Sequence, residues 1–359
     1  MGGRTGTVPA HRRPASWDTG WAQRARYGWG AVGRFGKSPK PKEPEIVMRV
    51  LLLSLVAAIA VLGIAFWIYR GTQVFRRQLS EFEPTAYESS EAGRQSLERA
   101  AAVSERVSWV LSDGSRQSAF YVAPRNGALI VYAHGSPGNG LGLISEALVL
   151  AERGYGALLI DLPGYGASEG RRAWDAMFVE SIRRAVDFAV GRPEVEATRI
   201  GGFGYSNGGS LIARAAAADE RLSAIVLLAT YSNLAEQLHH AFKRRTPGMG
   251  HFAIAASLWS GVPVSKLDTV AALQRMKPRP TLVISGGQDR QIPLETADRL
   301  KRAMPGADEI VFDEAGHLDF STKLGDRYFS SLAGFWDRSL GSKPGGRDAG
   351  VGAAKQMGQ

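Results

Sequence analysis

The segment Gly204-Tyr205-Ser206-Asn207-Gly208 sets a hydroxyl between two glycines at a spacing that suits nucleophilic catalysis. A serine on a sharp strand-to-helix turn has strained backbone angles, and glycine two residues to either side leaves room for the turn. The turn exposes the hydroxyl and aims a helix N-terminus at it, so the N–H of Asn207 is a candidate donor to a developing oxyanion. Glycine makes up 43 of the 359 residues, so the pattern alone arises by chance and its setting must decide. Here the apolar run Ile200–Phe203 precedes the serine and the small-residue segment Gly208–Ala218 follows it.

A free serine is a poor nucleophile; it needs a base, and the base needs an orienting acid. Of the six histidines, His11 is in the N-terminal tail, His134 follows a strand-like run, and His239, His240 and His251 fall in a helical insertion. His317 comes just past the last strand-like run, where an α/β sheet presents groups at the carboxyl ends of its strands. It is the expected base. Asp289 is the only acid in the turn Ser285–Pro293 and is the expected orienting residue, with Asp313 and Asp319 as alternatives beside the histidine. The second oxyanion donor is expected to be the N–H of Ser136, in the turn His134-Gly135-Ser136-Pro137-Gly138-Asn139, where glycines let the backbone approach a substrate. His134 is expected to brace that loop. The glycine-punctuated turn Asp161–Ser168 is expected to flank the same cleft.

These residues need a scaffold. Strand-like runs are Val107–Leu111 and Ala119–Val122 around an Asp113-Gly114 turn, then Ala128–Tyr132, Ala157–Ile160, Ile200–Phe203, Ala224–Leu228, Thr281–Ile284 and Glu309–Phe312. Helix-like segments lie between most of them: Gly142–Arg153, Trp174–Val190, Gly208–Ala218, Leu294–Met304 and Tyr328–Leu340. The alternation predicts an α/β fold over residues 104–340, with a mostly parallel eight-stranded sheet flanked by helices after an opening hairpin. Residues 231–279 exceed what a crossover requires and are read as a small helical lid. In it Phe242 and Trp259, with Met249, Phe252, Leu258 and Val262 nearby, are candidate substrate contacts, as is Tyr205 next to the nucleophile.

Val50–Tyr69 is a run of twenty residues without a charge, which as a helix spans about 30 Å, the depth of a bilayer core. Residues 46–70 are therefore read as one transmembrane helix, after a basic unstructured tail (1–45) and before a stalk (71–103); a second frayed tail covers 341–359. A signal peptide beginning at Met48 is the rival. Arg34, Lys37, Lys40, Lys42 and Arg49 precede the run, against Arg70, Arg76 and Arg77 after it, which puts the N-terminus in the cytoplasm and the bulk of the chain across the membrane.

The net charge of +10 is concentrated in the first 49 residues, where ten Lys/Arg face three Asp/Glu. The remainder is near neutral, so no domain-wide phosphate-binding face is expected and no nucleic-acid partner. With no cysteine, disulfides, thiolate metal sites and a Cys nucleophile are excluded.

In this order and spacing, HGSPGN, DLPGYGAS, GYSNG, GGQDRQIP and GH resemble the α/β-hydrolase superfamily over residues 105–340. More narrowly they resemble its membrane-anchored branch of BEM46 and ABHD13/17-type proteins. The resemblance implies a triad of Ser206, Asp289 and His317, backbone donors at Ser136 and Asn207, and no metal or organic cofactor. Ser136-Pro137 stands where that branch usually has Asn-Ala, and Pro163 where it often has Arg. Serine at position 206 argues against the dehalogenases and epoxide hydrolases of this fold, which use aspartate there. The expected activity is cleavage of carboxylic esters or thioesters of a small acyl substrate or lipid through an acyl-enzyme. A serine peptidase is the runner-up, and a non-catalytic binding module is the reading from another class.

Overall fold

The computed structural model describes residues 42–80, 95, 98, 104–172, 176–243, 249–259, 262 and 264–341. The reading of residues 1–41 as a tail, of most of the stalk beyond residue 80, and of the C-terminal tail beyond 341 lies outside the described residues.

Eight strands form one sheet: β1 (Glu105–Val110), β2 (Arg116–Val122), β3 (Leu129–Ala133), β4 (Gly156–Asp161), β5 (Ile200–Tyr205), β6 (Leu222–Leu228), β7 (Thr281–Gly286) and β8 (Asp308–Phe312). Their order across the sheet is β1-β2-β4-β3-β5-β6-β7-β8. The sheet is mixed. β1 pairs antiparallel with β2, and β2 antiparallel with β4, while the ladders from β4 through β3 to β8 are parallel. The opening hairpin forces the first reversal: a two-strand ribbon joined by a tight turn enters the sheet as antiparallel neighbours. From β3 onward each strand leads to the next through at least one helix, and these strands run parallel.

The helices of this domain are α2 (Ile144–Glu152), α3 (Ala176–Val190), α4 (Asn207–Ala218), α5 (Leu234–Lys243), α6 (Met249–Trp259), α7 (Thr269–Arg275), α8 (Glu295–Ala303), α9 (Phe320–Leu324) and α10 (Asp326–Leu340). Alternate residues of the central strands feed two cores, because successive side chains leave a strand on opposite faces. Leu129, Val131 and Ala133 join α3, α4, α7 and α8 on one face. Ile130 and Tyr132 join α2 and α10 on the other. Both faces of β3 are therefore covered, and all five of its residues are buried. The glycines and alanines of α4 let that helix sit close on the sheet, and Ala272, Leu273 and Met276 around α7 belong to the same core. A third, smaller cluster gathers Tyr231, Leu234 and Leu238 with Val262, Val264, Leu267 and Ile292.

Separately, α1 (Glu43–Ser80) is a single helix carrying the uncharged run. Over Glu43–Gln73 it is long and apolar enough to cross a membrane.

Candidate active site

Strands end where function begins. β3 and β5 are parallel neighbours with Ala133 opposite Gly204, so the loops that follow them leave the sheet side by side. The loops after β4, β7 and β8 emerge from the same edge. All five of these loops carry residues that the sequence singled out.

Ser206 is the hinge between β5 and α4, with φ 53° and ψ −116°, in the left-handed region that L-residues avoid. Its amide donates to the Leu228 carbonyl at 2.8 Å, which ties the turn to β6. Steric crowding enforces the turn on both sides. A methyl group at Gly204 would overlap the Gly208 carbonyl, and one at Gly208 would overlap the Ala133 carbonyl. The glycine spacing is thus a demand of close backbone approach at this elbow.

His317 brings its Nε2 to 3.2 Å from Ser206 Oγ and its Nδ1 to 2.7 Å from Asp289 Oδ2. The histidine and aspartate side chains are 8% and 2% exposed, so this hydrogen-bond chain is shielded from competing water. Asp289 is itself fixed: its Oδ1 accepts from the amides of Gln291 and Ile292, each at 2.8 Å. An acceptor-only carboxylate facing Nδ1 requires that nitrogen to carry the proton, which leaves Nε2 free to accept from the serine. Asp313 and Asp319 make no such contact. Asp319 instead accepts from the Gly316 amide at 2.6 Å, shaping the loop in which His317 sits.

The loop after β3 lies against the elbow. A methyl at Gly135 would come within 2.9 Å of the Tyr205 ring and 3.3 Å of Ser206 Cβ. Ser136 follows at this point, its hydroxyl 2.7 Å from Tyr165 Oη. Asn207 opens α4, and its side-chain oxygen accepts from Tyr231 Oη at 2.7 Å. The amides of Ser136 and Asn207 find no backbone or side-chain acceptor among the described residues.

His134 is buried and bridges two loops: Nδ1 lies 2.7 Å from the Gly135 carbonyl, and Nε2 is 3.1 Å from the Leu162 amide. A nitrogen that accepts from an amide carries no proton, so this ring is neutral with its hydrogen on Nδ1. Burial lowers its pKa in the same sense. Asp161 opens the turn expected to flank the cleft, and the structure gives it a role the sequence did not assign: it is the knot of this region. Its Oδ1 accepts from the Gly140 amide at 2.9 Å and its Oδ2 from the Ala167 amide at 3.0 Å, while Arg106 pairs with it at 3.2 Å. An acid at the end of a buried strand, followed by two glycines, was the available signal.

A cavity of about 450 Å³ opens over Ser206. Residues 134–139, Leu143, Tyr205, Gln291, His317 and Leu318 are among its lining. Tyr205 is therefore at the cavity, as its candidate role required. Phe242 lies in α5 and Trp259 in α6, but their side chains, like those of Met249 and Phe252, are outside the described residues. Val262 is buried in the third cluster and packs the insertion, and Leu258 is exposed. Gln291 and Leu318 went unremarked in the sequence because only the folded loops bring them to the rim.

Residues 128–253 match the sequence model of the alpha/beta hydrolase fold family. The Pyrococcus furiosus esterase Pf2001 superposes with a TM-score of 0.58 at 18% identity, covering 68% of this chain and 94% of that one. The chain has the α/β-hydrolase fold. The ferulic-acid-bound Est1E of Butyrivibrio proteoclasticus, another structure of this fold, gives a TM-score of 0.53 at 18% identity, over 66% of this chain and 100% of that one. In sequence, the putative hydrolase YtaP of Bacillus subtilis is 28% identical over 172 residues, 43% of this chain. That match spans only 54% of YtaP. The α/β hydrolase domain-containing protein WAV2 of Arabidopsis thaliana is 26% identical over 239 residues, 63% of this chain and 76% of that protein. The family match begins at the residue before β3 and ends within α6, so it takes in the elbow and the β3 loop but neither Asp289 nor His317.

Proposed function

We propose that this chain is a membrane-anchored serine hydrolase that cleaves carboxylic esters or thioesters through an acyl-enzyme. The observation that carries the proposal is the chain of contacts from Asp289 through His317 to Ser206, assembled from three separate loops on a strained serine. His317 Nε2 takes the proton from Ser206 Oγ as that oxygen attacks the acyl carbonyl. The amides of Ser136 and Asn207 receive the charge that develops on the carbonyl oxygen. His317 then delivers its proton to the departing alkoxide or thiolate. In the second half, water is deprotonated by the same imidazole and releases the acid from the serine. Asp289 holds the imidazole in the tautomer this sequence needs and stabilises its cationic form in between.

Esters are preferred to amides because the similar structures include the Pyrococcus furiosus esterase and the cavity walls include Pro137, Leu143 and Leu318. Parallel assays on aryl esters, acyl thioesters and peptidyl amides, with the Ser206→Ala variant beside the parent, test this. Ester or thioester turnover that vanishes in Ser206→Ala supports it. Turnover of amides alone would move the activity to a peptidase.

The anchoring half of the proposal rests on α1, whose residues 43–73 suit a bilayer by length and composition. The basic excess before the uncharged run favours a cytoplasmic N-terminus. Together with the His134–Asn139 turn, the anchor also supports a place in the narrower membrane-anchored branch. Protease digestion with the cytoplasmic membrane intact tests the orientation: a hydrolase domain that stays protected until that membrane is lysed would contradict it.

A further inference from the structure

We propose that Tyr205, the residue before the nucleophile, is a positioning residue that sets the catalytic histidine against the serine. The inference rests on the serine-hydrolase reading above. The Tyr205 hydroxyl donates to the His317 carbonyl at 2.8 Å. The two rings pack with centroids 5.2 Å apart and a 39° tilt. On its other edge the Tyr205 ring faces Gly135 of the β3 loop, where a methyl would come within 2.9 Å. One side chain thus touches the elbow, the oxyanion loop and the histidine loop.

The histidine loop shows why this bond matters. Its flanks are well tied: Gly287 donates to the Phe312 carbonyl and Gln288 to that of Ala315, both at 2.9 Å, and Gly316 donates to the Asp319 side chain at 2.6 Å. Between these ties the tip consists of His317 and Leu318. Among the described residues, the bond from Tyr205 is the one hydrogen bond to the tip's backbone. Leu318 is 76% exposed and adds no packing. The imidazole is held at Nδ1 by Asp289, and the backbone that carries it is held by Tyr205.

A half-buried phenol bonded to a carbonyl also has no role as a proton donor to substrate, since burial raises its pKa far above the neutral range. The Tyr205 ring walls the cavity while its hydroxyl faces the protein.

Removing only the hydroxyl separates these functions. In Tyr205→Phe, kcat on an aryl ester is expected to fall about tenfold, the size of one lost hydrogen bond. KM should stay within about twofold because the ring still lines the cavity. The thermal midpoint of the full chain in detergent, and the final extent of fluorophosphonate labelling, should match the parent. An unchanged kcat, or a raised KM at constant kcat, would overturn the inference, the latter by making the hydroxyl a substrate contact. Failure of the underlying reading looks different: the unsubstituted protein itself would not label at Ser206.

Discussion

The elbow and the histidine loop meet at a hydrogen bond of 3.2 Å yet are held by opposite means. The elbow is fixed by exclusion: Gly204 and Gly208 face backbone oxygens with no room for a methyl, and α4 is buried behind them. The histidine loop is fixed by attachment. Its ends are Phe312 and Phe320, which pack against Tyr328, the first edge-to-face, with centroids 6.2 and 5.9 Å away. The Tyr328 hydroxyl in turn donates to the buried Glu146 at 3.2 Å. The nucleophile therefore has one permitted place, whereas the base has a place maintained by a few polar bonds and an aromatic platform. Substitutions in the elbow should act on folding, and substitutions in the histidine loop on rate and on pH dependence.

Among substitutions that keep the serine, Asp289→Asn should give the largest effect. It keeps an acceptor for the Gln291 and Ile292 amides but presents an amide N–H to His317 Nδ1, favouring the wrong tautomer. We expect kcat to drop about 10,000-fold with an unchanged melting temperature. Loss of both together would mean that the loop and the elbow are not separable in this way.

Gly208→Ala should destabilise the domain by about 3 kcal/mol or more, read from denaturant unfolding or from loss of soluble protein. The added methyl meets the Ala133 carbonyl, which belongs to the central strand and cannot move aside. A variant of normal stability would remove the steric argument for the elbow.

Glu146 tests the platform under the histidine loop. Burial pushes its carboxyl up to about 7, an effect that its hydrogen bonds only partly offset. Because the folded value lies above the ordinary 4.5, its contribution to stability is present below about pH 4.5 and lost as the pH rises towards 7. Glu146→Gln should match the parent near pH 4.5 and exceed it at pH 8, by at most about 3 kcal/mol. Parallel pH curves for the two proteins would contradict this.

Smaller effects on stability follow at Ser206 and at the histidine tip. Ser206→Gly relieves the positive φ and should gain up to about 1 kcal/mol while abolishing turnover. Leu318→Ser, on the exposed histidine tip, should change stability by less than about 0.5 kcal/mol.

The same contrast explains what could be read from the residues alone. Local pattern carries the elbow, since its glycines, strand and helix are contiguous in sequence. The eight strands were also legible: the parallel ones are short apolar runs bounded by turns, and the opening antiparallel pair is marked by its Asp113-Gly114 turn. Asp289 and His317 could be chosen by their order and their place after strands. The roles of Asp161, Glu146 and the Tyr205 hydroxyl were not legible. Each depends on a partner between about twenty and one hundred and eighty residues away, which local pattern does not reveal even where, as at Asp161, the neighbours hint at a role. The helix α9 was missed, and α7 was read only as part of the helical insertion, for a different reason: at five and seven residues they are too short to show a helical period of their own. For α7 the cap was nonetheless available, as Asp268 accepts from the Ala271 amide at 2.8 Å.

The most direct test of the central claim is the site of covalent labelling by a fluorophosphonate, located by mass spectrometry of the full chain. The expected result is one adduct on the peptide containing Ser206, absent in a folded Ser206→Ala protein and formed far more slowly in His317→Ala. An adduct of undiminished yield in Ser206→Ala would contradict Ser206 as the nucleophile.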